Sequence, residues 1–338
     1  MKIFKESGYV NVGGILDEGF PFVFIVGARG TGKSFDALDD SVEKDEPFLY
    51  MRRTQSQCDL ISKPEFSPFK PINEIRNRDV KVKSVSRYNS MFYSEIGDKI
   101  KIHGYTCALS TISNMRGFSA TEIKRFIYDE FIKEKHEKPL KNEGEALLNA
   151  YETVNRNREL EGLPALQFLG LANSNDISNP IFEELKLIRI ADKLQRSGHM
   201  IWTDDKRGIM IVMLSNSPIS QRKRNTALYR LTKGSEFSNM ALDNDFNVDR
   251  CSIKPRPINE FVPVCNVGEL YFYRHKSESR LYCTTFKNGV FKKVFNLSDV
   301  GKMHYKQIFY HHWDMYIEGR IDFEDVLAEK IFLRIWDM

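Results

Sequence analysis

The chain has 338 residues, 41% of them hydrophobic and 28% charged, with a formal net charge of +4. That length suffices for two domains with ordinary globular cores, and so mild a positive balance does not by itself argue for a nucleic-acid partner. No apolar run approaches the roughly 20 residues of a bilayer span, and Met1-Lys-Ile-Phe-Lys-Glu6 lacks the apolar core of a signal peptide. Five scattered cysteines without a C-x-x-C pair disfavour a disulfide framework or a zinc site, so an intracellular protein with reduced thiols and no membrane partner is expected.

The first element is an apolar strand, Phe22–Val26. It runs directly into Gly27-Ala28-Arg29-Gly30-Thr31-Gly32-Lys33-Ser34, a complete G-x-x-x-x-G-K-[ST] phosphate loop, and a helix should follow over Lys33–Val42. Gly27 and Gly32 are read as positions where the backbone needs angles that a Cβ would forbid, so that successive N–H groups turn around an anion. Lys33 is placed to reach the β and γ phosphates and Ser34 to ligate Mg²⁺, with the helix N-terminus adding its partial positive charge. The loop therefore predicts binding of ATP or a similar triphosphate with Mg²⁺.

Strands are expected next at Phe48–Arg52, Lys99–His103 and Arg125–Tyr128. The last ends in Asp129-Glu130, a Walker B pattern on a strand beside the phosphate loop. There Asp129 would hold Mg²⁺, largely through water, and Glu130 would polarise the attacking water as general base. A long amphipathic helix is predicted over Glu145–Leu160, then a strand over Gln167–Ala172, a helix from Pro180 and a strand over Gly208–Leu214. Asn173, at a strand end, is the candidate to sense the γ-phosphate or the lytic water, with Ser174 as runner-up and a local Asn/Ser turn as the plain alternative. Phosphoryl transfer also needs cationic charge against the γ-phosphate. Arg156 and Arg158 are candidates, as is Arg116 before the Walker B strand. Arg29, Arg52 and Arg53 are further candidates to line the nucleotide pocket.

Past Leu214 the character changes. Residues 219–242 read as helical and basic at the start (Arg222, Lys223, Arg224), and Lys254-Pro-Arg-Pro257 breaks regular structure. From Cys251 the chain reads as β-rich, with strands Phe261–Val264, Leu270–Arg274, Leu281–Phe286 and Val290–Phe295, and a hairpin turn at Asn288-Gly289. Helices are expected near Gly301–Ile317 and Phe323–Ala328. Asp299, Asp314, Asp322, Glu324 and Asp325 are available carboxylates, but no strand here reads as ending in a lone aspartate, as a two-metal nuclease requires. His311-His312 on a helix diverge too far to chelate one ion well. Lys254, Arg256, Lys287, Lys292 and Lys293, with Arg222–Arg224, are the basic residues available to grip a phosphate backbone without reading sequence.

With Gly27–Ser34, Asp129-Glu130-Phe131, Asn155–Arg158, Asn173-Ser174 and Tyr229–Phe246 in hand, the chain resembles the genome-encapsidation ATPases of podovirus-type tailed phages, small relatives of the large terminase subunits. The resemblance implies an α/β fold: a P-loop NTPase domain of the additional-strand, catalytic-glutamate type with a mainly parallel sheet over residues 1–217. A short helical linker module over 218–250 and a smaller β-rich α+β domain over 251–338, like an RNase H-type nuclease that has lost catalysis, would follow. It implies a homomeric ring, commonly a pentamer, in the host cytoplasm and transiently docked on the portal of a viral procapsid. The ring would translocate double-stranded DNA, with a structural packaging RNA in some members, and Arg156 or Arg158 would act in trans with Arg116 alongside. An ATP-dependent assembly switch and a helicase- or recombination-type ATPase are the alternatives. A well-placed Glu130 disfavours the first, and the absence of helicase-like motifs in the C-terminal part disfavours the second.

Overall fold

The computed structural model describes residues 1–115, 122–134, 136–173, 176–215, 217–235, 238, 242 and 251–336. It separates into two compact units, Met1–Leu185 with Lys193–Asn247, and Lys186–Asp192 with Val248–Met338. Arg116 and Ser174 lie outside the described residues.

The first unit is built on a nine-stranded sheet of order β3-β4-β5-β2-β6-β7-β1-β9-β8. Its strands are β1 (Phe22–Gly27), β2 (Phe48–Arg52), β3 (Lys81–Ser84), β4 (Ser90–Ile96), β5 (Lys99–Ala108), β6 (Arg125–Asp129), β7 (Gln167–Ala172), β8 (Ile201–Asp204) and β9 (Ile209–Leu214). The run from β5 to β9 is parallel throughout, while β3, β4 and β8 are antiparallel additions. β6 and β9 are buried along their whole length, as strands covered on both faces should be. The helices of the first 235 residues are α1 (Val12–Leu16), α2 (Lys33–Glu43), α3 (Gln55–Ile61), α4 (Lys70–Arg76), α5 (Glu143–Asn155), α6 (Pro180–Glu184), α7 (Ile188–Ser197), α8 (Pro218–Lys223) and α9 (Ala227–Leu231).

The Walker B strand β6 is not beside the phosphate-loop strand β1, as expected; β7 lies between them and pairs with both. Packing explains the insertion. The Phe168 ring of β7 sits 5.4 Å from Phe24 and 5.6 Å from Phe126. Gly170 lets Phe24 close in, since a Cβ there would meet the Phe24 ring at 2.8 Å. The predicted helix 145–160 also ends early, at Asn155, because Arg156 takes a left-handed backbone angle (φ 47°). The expected single helix from 219 is two short ones, α8 and α9, with Thr226 extended between them.

The second unit carries a five-stranded sheet of order β13-β10-β11-β12-β14. These are β10 (Phe261–Val267), β11 (Leu270–His275), β12 (Leu281–Thr284), β13 (Lys293–Phe295) and β14 (Ile321–Phe323). β10, β11 and β12 form an antiparallel meander, and β13 and β14 add in parallel at opposite edges. Asn288-Gly289 is therefore not a hairpin turn: after β12 the chain crosses to pair beside β10, and Asn288 is held by its N–H donating to the Tyr273 hydroxyl at 2.7 Å. Phe323 closes a strand rather than opening a helix, and Asp325 caps the helix Val326–Ile335 by accepting from the Ala328 N–H. β14 carries an aspartate, Asp322, but in mid-strand: the strand ends in Phe323. Asp322 is buried and held at 2.9 Å by both Arg256 and Arg280, an arrangement that neutralises it. Helices Asp299–Ile308 and His311–Ile317 pack with Val326–Ile335 on a core that includes Phe272, Tyr305, Phe323 and Phe332. Buried His312 bonds the Tyr305 hydroxyl at 2.8 Å, and burial pushes its pKa down to about 3, so it is a neutral core residue. Among the described residues no helix is long and apolar enough to cross a membrane, and all five cysteines are free.

Candidate nucleotide site

In a parallel sheet the chain ends that can host a ligand are the carboxyl ends of the strands. Here those ends deliver Gly27 from β1, Arg52 from β2, Asp129 from β6 and Asn173 after β7 to one edge. Arg29–Phe35, Asp129, Glu130, Ala172 and Asn173 line a cavity of about 380 Å³.

The loop's glycines serve different ends. Gly32 adopts φ 91°, which a side chain disfavours, whereas Gly27 shows no positive φ. Gly27 is small because a Cβ would meet the Leu214 Cβ at 2.5 Å, so it is space rather than backbone angle that excludes a side chain. Lys33 is buried, its Nζ donating to the carbonyls of Gly27 and Ala28 at 3.0 Å and to the Asn173 Oδ1 at 3.3 Å. Burial lowers its pKa to about 8, against the opposing pull of Asp129 and Glu130. Asn173 thus touches the phosphate-loop lysine directly.

Ser34 donates to Asp129 Oδ1 at 2.9 Å. A hydroxyl and one carboxylate at this spacing suit Mg²⁺, which takes one or two carboxylates, phosphate oxygens and water instead of an all-protein cage. No cluster of three or more His, Cys, Asp or Glu side chains placed to hold a metal ion is found among the described residues. Arg29 Nε is buried without a hydrogen-bond partner in the cavity wall, a donor suited to an anionic oxygen.

Glu130 follows Asp129 with φ 56°, a left-handed angle at a bulky residue, and its N–H donates to Asp129 Oδ1 at 3.1 Å. Desolvation raises its pKa; Arg52 opposes this, and Asp129, Glu134 and Glu137 reinforce it. Arg52 bridges the two acids, 3.0 Å from Asp129 and in contact with Glu130. Tyr50, two residues earlier on the same face of β2, donates to Asp129 at 2.5 Å. Tyr50 is absent from the sequence-based candidates; period-two alternation back from Arg52 is the signal that could have found it. Arg29 pairs with Glu134, which no local motif flags.

The remaining arginines lie elsewhere. Arg53 is buried in a bidentate pair with Glu143, at 2.7 and 3.1 Å, and does not line the cavity. Arg158 is buried and donates to the carbonyls of Pro164 and Ile123, pinning a loop ahead of β6 and β7. Arg156 is exposed at the end of α5. Both sit where β6 and β7 begin, the opposite edge of the sheet from the chain's own phosphate loop. Arg222 donates to the Ser7 carbonyl and Lys223 to that of Arg29, so this basic cluster is partly turned inward on its own chain.

The family model described as podovirus DNA encapsidation protein (Gp16) matches residues 4–300. The chain belongs to the podovirus Gp16 DNA encapsidation family. Among Gp16-like relatives, the DNA packaging protein of Bacillus phage phi29 is 28% identical over 229 residues, 66% of this chain and 61% of the relative. The chain thus spans about three-fifths of that relative's length. The DNA packaging protein of Bacillus phage B103 is 28% identical over 285 residues, covering 81% of each chain. The fold matches that in the bacteriophage Phi-29 viral genome packaging motor assembly, with a TM-score of 0.70, 22% identity and 99% coverage of both chains. It also matches the Phi-28 gp11 DNA packaging motor, with a TM-score of 0.59, 18% identity, and 92% and 93% coverage.

Proposed function

We propose that this Gp16-family chain is the ATP-hydrolysing subunit of a motor that drives double-stranded DNA into a viral procapsid. One observation carries the reading: Lys33, Ser34, Asp129, Glu130 and Asn173, from three separate strand ends, converge on one cavity. The relatives' designation as DNA packaging proteins supports the choice of cargo.

In this mechanism the loop N–H groups and Lys33 grip the β and γ phosphates. Ser34 and Asp129 would hold Mg²⁺, which when bound neutralises charge on the phosphate oxygens. Glu130 orients a water and accepts its proton; desolvation makes it a better base, and Arg52 keeps it ionised. Asn173 links the phosphates to β7. The charge still needed on the transferring group is assigned to Arg156 of a neighbouring subunit, because Arg156 is exposed and stands at the far edge of its own sheet. Arg158, engaged with two carbonyls, is assigned to shaping that loop. A ring, commonly of five, docked on the capsid portal with a packaging RNA in some cases, completes the model.

The test is the ATPase rate with and without double-stranded DNA, alongside sedimentation to measure assembly. Stimulation by DNA with ring formation is expected. A rate indifferent to DNA in a monomeric chain would overturn the motor reading and favour a switch.

A further inference from the structure

Helix α8 brings a second lysine to the phosphate loop. Lys223, its last residue, donates from Nζ to the Arg29 carbonyl at 2.9 Å. The same Nζ would stand 2.0 Å from a Cβ built on Gly30, so it packs directly over a glycine that lines the cavity. Its charge is felt by Lys33, whose pKa it lowers, and burial lowers its own pKa as well. Two partly desolvated ammonium groups repelling each other across one loop are costly, and an apolar side chain would cover Gly30 without that cost. The pair makes physical sense once a polyanion lies between them.

Other contacts hold α8 in place around the loop. Arg222 donates to the Ser7 carbonyl at 3.1 Å, and Gly8 leaves room for Pro218, whose Cβ would come within 3.1 Å of a Cβ at that position. Tyr9 lies against Gly32, and the Val10 N–H donates to the Thr31 carbonyl at 3.0 Å. The N-terminal segment and α8 thus touch each other and the phosphate loop, and the loop contact from α8 is a charged one.

We propose that Lys223 is a second phosphate-binding cation, supplied in cis, that makes the position of α8 depend on the charge of the bound nucleotide. The proposal rests on the reading of Gly27–Ser34 as a triphosphate site. An ammonium has three N–H donors, and the bond to Arg29 uses one of them. A γ-phosphate held by the loop would add charge beside both ammonium groups, Lys33 within the cavity and Lys223 against Arg29 and Gly30 at its wall, so Lys223 strengthens ATP binding more than ADP binding.

The experiment is equilibrium titration of the full chain with a non-hydrolysable ATP analogue and with ADP, for wild type, Lys33→Ala, Lys223→Gln and Lys223→Arg. Lys223→Gln should weaken analogue binding about tenfold, the loss of one charge-assisted hydrogen bond, while ADP binding changes much less. Lys223→Arg, which keeps the charge, should restore most of the preference, and Lys33→Ala should lose both ligands. An equal loss for both ligands in Lys223→Gln would show a merely structural prop and overturn the proposal, as would an unchanged analogue-to-ADP ratio. If wild type bound neither nucleotide, the underlying triphosphate reading would fail and take the proposal with it.

Discussion

Replacing Glu143 by alanine removes the partner of a guanidinium that is only 1% exposed. In the native protein Arg53 makes a bidentate contact to Glu143 at 2.7 and 3.1 Å, and the Tyr128 hydroxyl donates to the same carboxylate at 3.1 Å. Breaking one side of a buried pair costs about 3–5 kcal/mol, because the other charge stays buried. Arg53 retains Glu137 at 3.0 Å, a carboxylate with partial access to solvent, so the loss should fall at the low end, near 3 kcal/mol. For a unit of this size that corresponds to a fall of about 6–12 °C in melting temperature. Calorimetry on Glu143→Ala should show the drop in the transition of the first unit. The double variant Arg53→Met/Glu143→Leu, which removes both charges and keeps volume, should recover much of it. A melting temperature for Glu143→Ala within about 2 °C of wild type would refute the reasoning, since by the same scale it leaves no room for a buried charge penalty.

Glu130→Gln should bind ATP at close to wild-type affinity yet turn it over about 10²–10⁴-fold more slowly, as loss of a general base predicts; a rate within a few-fold of wild type would remove Glu130 from that role. ATP affinity should hold steady below pH 7 and weaken as pH rises through about 8, because Lys33 is cationic below its lowered pKa and neutral above it. A flat affinity profile across that range would contradict the assignment. The two arginines should separate: Arg158→Ala should cost about 2 kcal/mol of stability through the carbonyls it leaves unpaired, whereas Arg156→Ala should melt normally but hydrolyse slowly in assembled rings. Melting curves paired with turnover measurements would expose an error in either assignment.

The parts of the site that were legible in the sequence are those whose chemistry is local. Gly27–Ser34 and Asp129-Glu130 are short runs whose residue types, spacing and flanking apolar strands must occur together for the chemistry to work, and their elements formed where expected. Non-local relations were not legible. Nothing near Asp129 signals that β7 separates it from β1, because that order depends on Gly170 and Phe168 packing against residues over a hundred positions away. Arg52 was a candidate for the pocket, yet its bridge to both acids depends on β2 pairing beside β6. Lys223 looked like one member of a surface basic cluster, since only the folded chain brings α8 to Arg29. In the C-terminal unit the Asn-Gly pair does mark a bend, with Gly289 at φ 93°, but it could not report that the following strand pairs elsewhere.

Both sheets end on short strands. β3 and β8 have four residues each, and β13 and β14 have three. A sheet edge is a row of unpaired backbone donors and acceptors that invites another chain to add a strand, and brevity and lysine are common defences. β3 carries Lys81 and Lys83, and β13 begins at Lys293 directly after Lys292. Long, apolar edges would carry a risk of fibrous, strand-by-strand association. Their shortness and the lysines at β3 and β13 disfavour strand addition at those edges, so lengthening β3 or β13 with apolar residues would be expected to turn soluble protein into aggregate.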